Sequence, residues 1–138
     1  MRAAAAGDGV GGARHAGAVD VDGVRRLALA LPGVTERSSW GQPAWFHRAL
    51  VARLWDEHRL TVRVEDDGER RALVAQEPAL YSTTAHHAGT NLVLVDLRVA
   101  APGLVGALLA ESWWWAAPPV LRRRHPGLGP PPDPPAGG

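Results

Sequence analysis

Apolar residues at Val21, Val24, Leu27, Ala28 and Leu31 recur at three- and four-residue spacings, so they share one stripe of a helix. Asp20 stands where an N-cap is expected, and Pro32-Gly33 marks the stop. Short runs with strand character follow over Thr35 to Trp40, Ala44 to Arg48, Leu50 to Trp55 and Leu60 to Glu65, separated by Gly41-Gln42-Pro43 and Asp56-Glu57-His58. In the last run Leu60, Val62 and Val64 alternate with Thr61, Arg63 and Glu65, the pattern of a strand with one wet face. Asp66 or Asp67 can cap a short helix over Glu69 to Gln76, closed by Pro78. Two more strands are expected around Leu80 to Thr84 and Asn91 to Val99, and Ala101-Pro102 opens a last helix that runs through Trp115 to Pro118-Pro119.

The pattern predicts an α+β fold: an antiparallel β-sheet packed against N- and C-terminal helices, with both long helices on one face. Residues 1–18, rich in alanine and glycine, and the Pro/Gly-rich end from Pro126 onward lack periodic apolar positions and read as disordered tails. The domain is thus expected over residues 19–121, with 122–138 a basic and then Pro/Gly-rich tail.

The last helix carries Trp113, Trp114 and Trp115 side by side. Successive helical residues point about 100° apart, so three neighbours cannot face one way. Val105, Leu108, Leu109 and Ser112 define the inward stripe; Trp115 then falls on its edge, Trp113 on the opposite flank, and Trp114 almost diametrically outward. Trp114 is expected to be exposed and either to meet the tail, a second copy or a protein partner, or to offer a stacking surface.

Composition narrows the chemistry. The chain has no cysteine, which excludes disulfides, thiolate zinc sites and a cysteine nucleophile, and with no sign of an oxidising compartment the reading is cytoplasmic. No apolar stretch approaches transmembrane length. All fifteen basic residues are arginine. Val19 to Leu121 holds ten arginines against twelve carboxylates, a balance of −2, whereas the two ends hold five against two, +3.

No motif supports catalysis or a cofactor. Adjacent His86 and His87 point to opposite sides of an extended chain and cannot readily chelate one ion; a loop pair bonded to backbone is expected. Ser38-Ser39 and Ser82-Thr83-Thr84 lack a glycine elbow, and "GDGVGG" precedes no strand. The acidic pairs sit in turns without the periodicity of a calcium loop.

Five landmarks, taken in order, carry a family resemblance: "VDGVRRLALALPGVTE", "WGQPAWF", "LTVRV", "EPALYSTTAHHAG" and "SWWWAAPPVL". Together they resemble the MmcQ/YjbR family and cover nearly all of the chain between the tails. The resemblance implies a compact fold similar to the frataxin-like CyaY sandwich, described as a double wing, and a non-enzymatic DNA-binding role without cofactor. The chain departs from that pattern at Trp113-Trp114, where the family often reads Trp-Arg, and at Thr84-Ala85-His86-His87, where it often reads Thr-Pro-His-Tyr. It also lacks the Gly-Lys that commonly follows the Pro-x-Phe landmark.

Candidate phosphate contacts are Arg48, Arg53, Arg59 and Arg63 in the central strands and Arg122, Arg123 and Arg124 after the last helix. The alternative is a protein-interaction or small-ligand module that uses Trp40, Trp45 and Trp114 as contact surface. One continuous arginine face favours DNA; arginines individually paired with carboxylates favour the alternative.

Overall fold

A computed structural model describes residues 19–130; the tail expected over 1–18 and residues 131–138 of the tail expected over 122–138 lie outside the described residues. Helix α1 (Val21–Leu29) begins at Asp20, whose carboxylate accepts the Gly23 N–H at 2.9 Å. Four strands follow: β1 (Thr35–Ser39), β2 (Gln42–His47), β3 (Ala49–Leu54) and β4 (Arg59–Arg63). Helix α2 (Asp67–Gln76) is capped by Asp66, which accepts the Glu69 N–H at 2.8 Å. Then come β5 (Tyr81–Ser82), a 3₁₀ turn at Ala85–His87, β6 (Leu92–Asp96), α3 (Pro102–Ala116), α4 (Pro119–Arg124) and a second 3₁₀ turn at Pro126–Leu128.

The strands form one antiparallel sheet in the order β1-β2-β3-β4-β6-β5, so the fold is α+β as the hydrophobic pattern implies. The pleat divides its side chains into two sets. Glu36, Trp45, Ala52, Val62 and Val93 occupy one cross-strand row, with Leu54, Leu60, Val95 and Tyr81 on the same face. These apolar residues join Val24 and Ala28 of α1 and Val105, Leu109 and Trp113 of α3 in the core, with Leu73 and Val74 of α2 packed against it. All three helices α1 to α3 therefore lie on this face.

Two local devices shape the sheet. Trp45 pairs with Ala52 and Phe46 with Leu50, which leaves Val51 as the extra residue of a β-bulge. Where β3 and β4 separate beyond it, Ser112 of α3 stands between them: its hydroxyl accepts the Arg63 N–H at 2.8 Å and donates to the Val51 carbonyl. One helix side chain thus satisfies a donor and an acceptor that lie beyond the paired stretch of these strands.

The C-terminal segment differs from expectation. Residues 119–128 fold back as α4 and a 3₁₀ turn, and Leu121 and Leu128 pack on the core. Pro118 and Pro119 stop α3, but Pro119 sits in the first turn of α4, where its missing N–H costs nothing. The return alters the tryptophans. Trp113 is wholly buried and donates from Nε1 to the Pro32 carbonyl at 2.8 Å. Trp114 is half-buried, not exposed as helical geometry alone implies: the Gly129 backbone lies so close that a Cβ there would come within 2.9 Å of the ring. The helix is covered on the sheet side and again by its own continuation.

Candidate nucleic-acid interface

Among the described residues, the second face of the sheet carries no helix. Its central row reads Arg37, Ala44, Arg53, Thr61, Leu94 and Ser82 from β1 to β5, flanked on β2 and β4 by Phe46, Arg59 and Arg63. The 3₁₀ turn at Ala85–His87 covers the β4–β6 side, since the rings of His86 and His87 lie 5.9 and 4.9 Å from that of Trp55, at the end of β3. The β1–β2–β3 side has no such cover among the described residues, though Ala44 at its centre is wholly buried and Phe46 and Arg53 are half-buried. There Arg37 is exposed and its Cζ stands 4.0 Å above the centre of the Phe46 ring, while Arg53 Cζ lies 5.2 Å from that of Trp55. Both are cation–π pairs that hold a guanidinium over a ring.

Of the strand arginines expected to contact phosphate, Arg53, Arg59 and Arg63 share this face but differ in freedom. Arg59 is tied to Asp56 at 2.7 Å. Arg63 is turned inward: Nε donates to the Leu50 carbonyl at 3.1 Å and a terminal nitrogen to Asn91 Oδ1 at 3.3 Å. Burial lowers its pKa from the ordinary arginine value. Its hydrogen bonds hold strands together, so it is a structural residue. Arg48 is not on the face at all; it forms the β2–β3 turn with a left-handed φ of 63° and is exposed, without a carboxylate partner among the described residues.

Arg122 is also occupied. Its Nε donates to the Trp114 carbonyl at 2.8 Å and its Cζ lies 5.5 Å from the rings of both Trp114 and Trp115. Arg123 and Arg124 are exposed and have no carboxylate partner among the described residues. The Trp113 ring bridges these regions, with His47 6.2 Å away on one side and His125 5.7 Å away on the other. The residue before the Arg48 turn and the residue after α4 thus both pack on one buried ring.

The three tryptophans expected to form a contact surface separate completely. Trp45 is wholly buried, and its Nε1 donates to Glu36 at 2.9 Å; it belongs to the core because the pleat turns it toward the helices. Glu36 also accepts from Arg25 of α1 at 2.7 Å, and that hydrogen bond is the chief reason its carboxyl is held below the usual range. Trp114 is covered as described. Trp40 is 88% exposed and forms, with Gly41, a two-residue hairpin turn in which both φ angles are positive, 55° and 80°. Such a turn favours Asn-Gly, and a bulky residue at its first position is strained.

One group of carboxylates lies elsewhere. Around α2, burial first and then the neighbouring Glu111, Glu65 and Asp66 raise the Glu69 carboxyl. Asp67 is held low mainly by its hydrogen bond from Arg70, a buried arginine that also reaches Thr83 at 2.7 Å and the Thr90 carbonyl at 3.1 Å. Asp96, on the strand face, is engaged by Arg98 at 3.0 Å. His87 does not bond to backbone through its ring; Nδ1 lies 3.2 Å from Thr84 Oγ1. Burial, followed by His86, Arg53 and Arg70, lowers its pKa. Among the described residues no group of three His, Cys, Asp or Glu side chains could hold a metal ion. No described helix is long and apolar enough to cross a membrane.

Sequence reasoning missed Arg37, Phe46 and Trp55, and read His86 only as one of a loop pair. Period-two counting from Arg37 to the hairpin turn could have found the first two. The meeting of Trp55 with His86 spans β4, α2 and β5 and leaves no local signal.

The sheet with its three helices defines a small α+β domain, and the chain belongs to the YjbR family, whose profile matches residues 29–115. It is similar in fold to a Deinococcus radiodurans protein with a DUF419 domain, at a TM-score of 0.62 and 21% identity over 86% of this chain and 94% of that one. It is also 42% identical over 52 residues to uncharacterized proteins of Mycobacterium bovis and Mycobacterium tuberculosis. That match covers 38% of this chain, and the chain spans 40% of the length of these curated relatives.

Proposed function

We propose that the protein is a non-enzymatic DNA-binding protein that engages phosphates weakly and without sequence preference. The observation that carries this reading is a set of guanidiniums without carboxylate partners. Arg37, Arg48, Arg53, Arg123 and Arg124 lack carboxylate partners among the described residues and lie on the helix-free face, in the β2–β3 turn or in α4, while Asp56 and Asp96 beside that face are each paired with an arginine. Phosphate contacts position a polyanion but carry no base information, so this arrangement supports attraction without selection.

The test is fluorescence anisotropy of a labelled random duplex at about 50 and 200 mM salt with wild type and the triple variant Arg48→Ala, Arg123→Ala, Arg124→Ala. Wild-type affinity is expected to fall steeply with salt, and the variant's slope to flatten by about 0.9 for each phosphate no longer neutralised. Absence of binding at the lower salt rejects the reading.

Trp40 favours a second reading, a protein-contact module. An exposed aromatic held in a strained turn is the kind of side chain that anchors interfaces. Trp40→Ala would then abolish partner capture and leave DNA affinity unchanged.

A further inference from the structure

We infer that the open part of the helix-free sheet face binds single-stranded polynucleotide by base stacking in preference to duplex. The inference rests on the phosphate-binding reading above and adds the form of nucleic acid and the surface that takes it. Charge alone does not separate duplex from single strand, because both present phosphates; accessible π-planes do, because only unstacked bases can lie on them.

The geometry supplies such planes together with charge. Arg37 and Arg53 stand on either side of Ala44 in one cross-strand row; Ala44 is wholly buried, so the accessible surface there is that of the side chains around it. Each guanidinium has an aromatic partner, Arg37 above Phe46 at 4.0 Å and Arg53 near Trp55 at 5.2 Å. Arg37 is exposed, so the outer plane of its guanidinium is a ready stacking surface positioned by the ring beneath. At the other end of the row His86 is exposed, tilted 36° from the Trp55 ring, a second flat side chain at the margin of the face. The carboxylates nearest the row, Asp56 and Asp96, are engaged by Arg59 and Arg98, so their repulsion toward phosphate is offset. A strand laid across β1, β2 and β3 would find guanidiniums for its phosphates and planes for its bases. A duplex would meet only the charges.

The experiment uses the full chain and four labelled probes of about twelve units at about 50 mM salt: oligo(dT), oligo(rU), an abasic deoxyribose strand of equal length, and a duplex. The abasic strand keeps the phosphates and deletes the bases, so it isolates stacking without altering the protein. Oligo(dT) or oligo(rU) is expected to bind at least about tenfold tighter than both the abasic strand and the duplex, the effect of one well-stacked base. Comparison of the first two assigns the source as DNA or RNA. Phe46→Leu, checked for its melting temperature, should lower the affinity of the base-bearing strands toward that of the abasic one. Equal, salt-sensitive binding of all four probes would overturn the stacking inference and leave the phosphate reading standing. Absence of binding by every probe would remove both.

Discussion

The two faces of the sheet are made by alternate residues of the same strands, yet they obey different rules. On the helix-covered face the polar groups are engaged in structure, where Trp45 bonds Glu36, Glu36 bonds Arg25, and Ser112 bridges β3 to β4. On the open face the guanidiniums of Arg37 and Arg53 rest on rings, and no carboxylate among the described residues neutralises them. Arg63 shows the boundary between the two, since it shares the open face but its side chain is spent on the Leu50 carbonyl and Asn91. Arginine number alone does not give the free charge of a face: Arg63 is held by hydrogen bonds to Leu50 and Asn91, whereas Arg53 makes one long one, from Nε to the Leu54 carbonyl at 3.4 Å.

The largest expected effect lies on the covered face. Trp113→Ala removes a wholly buried side chain together with its hydrogen bond to Pro32, and should cost about 3–5 kcal/mol in chemical denaturation. A loss under about 1 kcal/mol would mean that the C-terminal return does not close the core. Ser112→Ala is next. It strands the Arg63 N–H and the Val51 carbonyl at once, and a destabilisation of about 1–3 kcal/mol is expected from the same measurement.

A smaller effect tests the division on the open face, where His87 is the buried residue of the 3₁₀ turn. Its pKa is lowered in the fold, so the unfolded chain binds the proton more readily. The stability it contributes is complete above the unfolded value of about 6.5 and is lost as pH falls through the folded-state value. Urea midpoints measured between about pH 7 and 5 should decline in wild type and decline less in His87→Gln. The smallest effect concerns Trp40: replacement by Asn, which tolerates left-handed backbone, should raise stability by up to about 1 kcal/mol, since an exposed side chain loses no packing. A melting temperature lowered by Trp40→Asn would reveal packing at the hairpin tip that its exposure denies.

Much of the fold was legible because its elements carry their own signals. Asp20 and Asp66 cap α1 and α2, Leu60, Val62 and Val64 turn inward, and Pro102 opens α3. The wet face expected opposite Leu60, Val62 and Val64 is not wet at its centre, since Thr61 is buried and Arg63 half-buried. The C-terminal return was not legible. Two prolines read as a stop and three arginines as a solvated end, whereas Leu121 and Leu128 find apolar partners only once α3 and the sheet are assembled. The candidate site was legible in residue type more than in placement. Arg53 lies on the open face as its strand position suggests, but Trp45 is buried by pleat direction while Trp40 is exposed in a hairpin turn, and Arg63 differs from Arg53 by long-range hydrogen bonds that no local pattern encodes.

Binding on the open face is tested most directly by titrating ¹⁵N-labelled protein with oligo(dT) and following backbone amides and arginine Nε–H signals by NMR. Stacking on that face requires shifts concentrated in β1, β2 and β3 and at the Arg37 and Arg53 side chains, with α1 and α2 unmoved. Shifts centred on the helices, or none at saturating oligonucleotide, would contradict it.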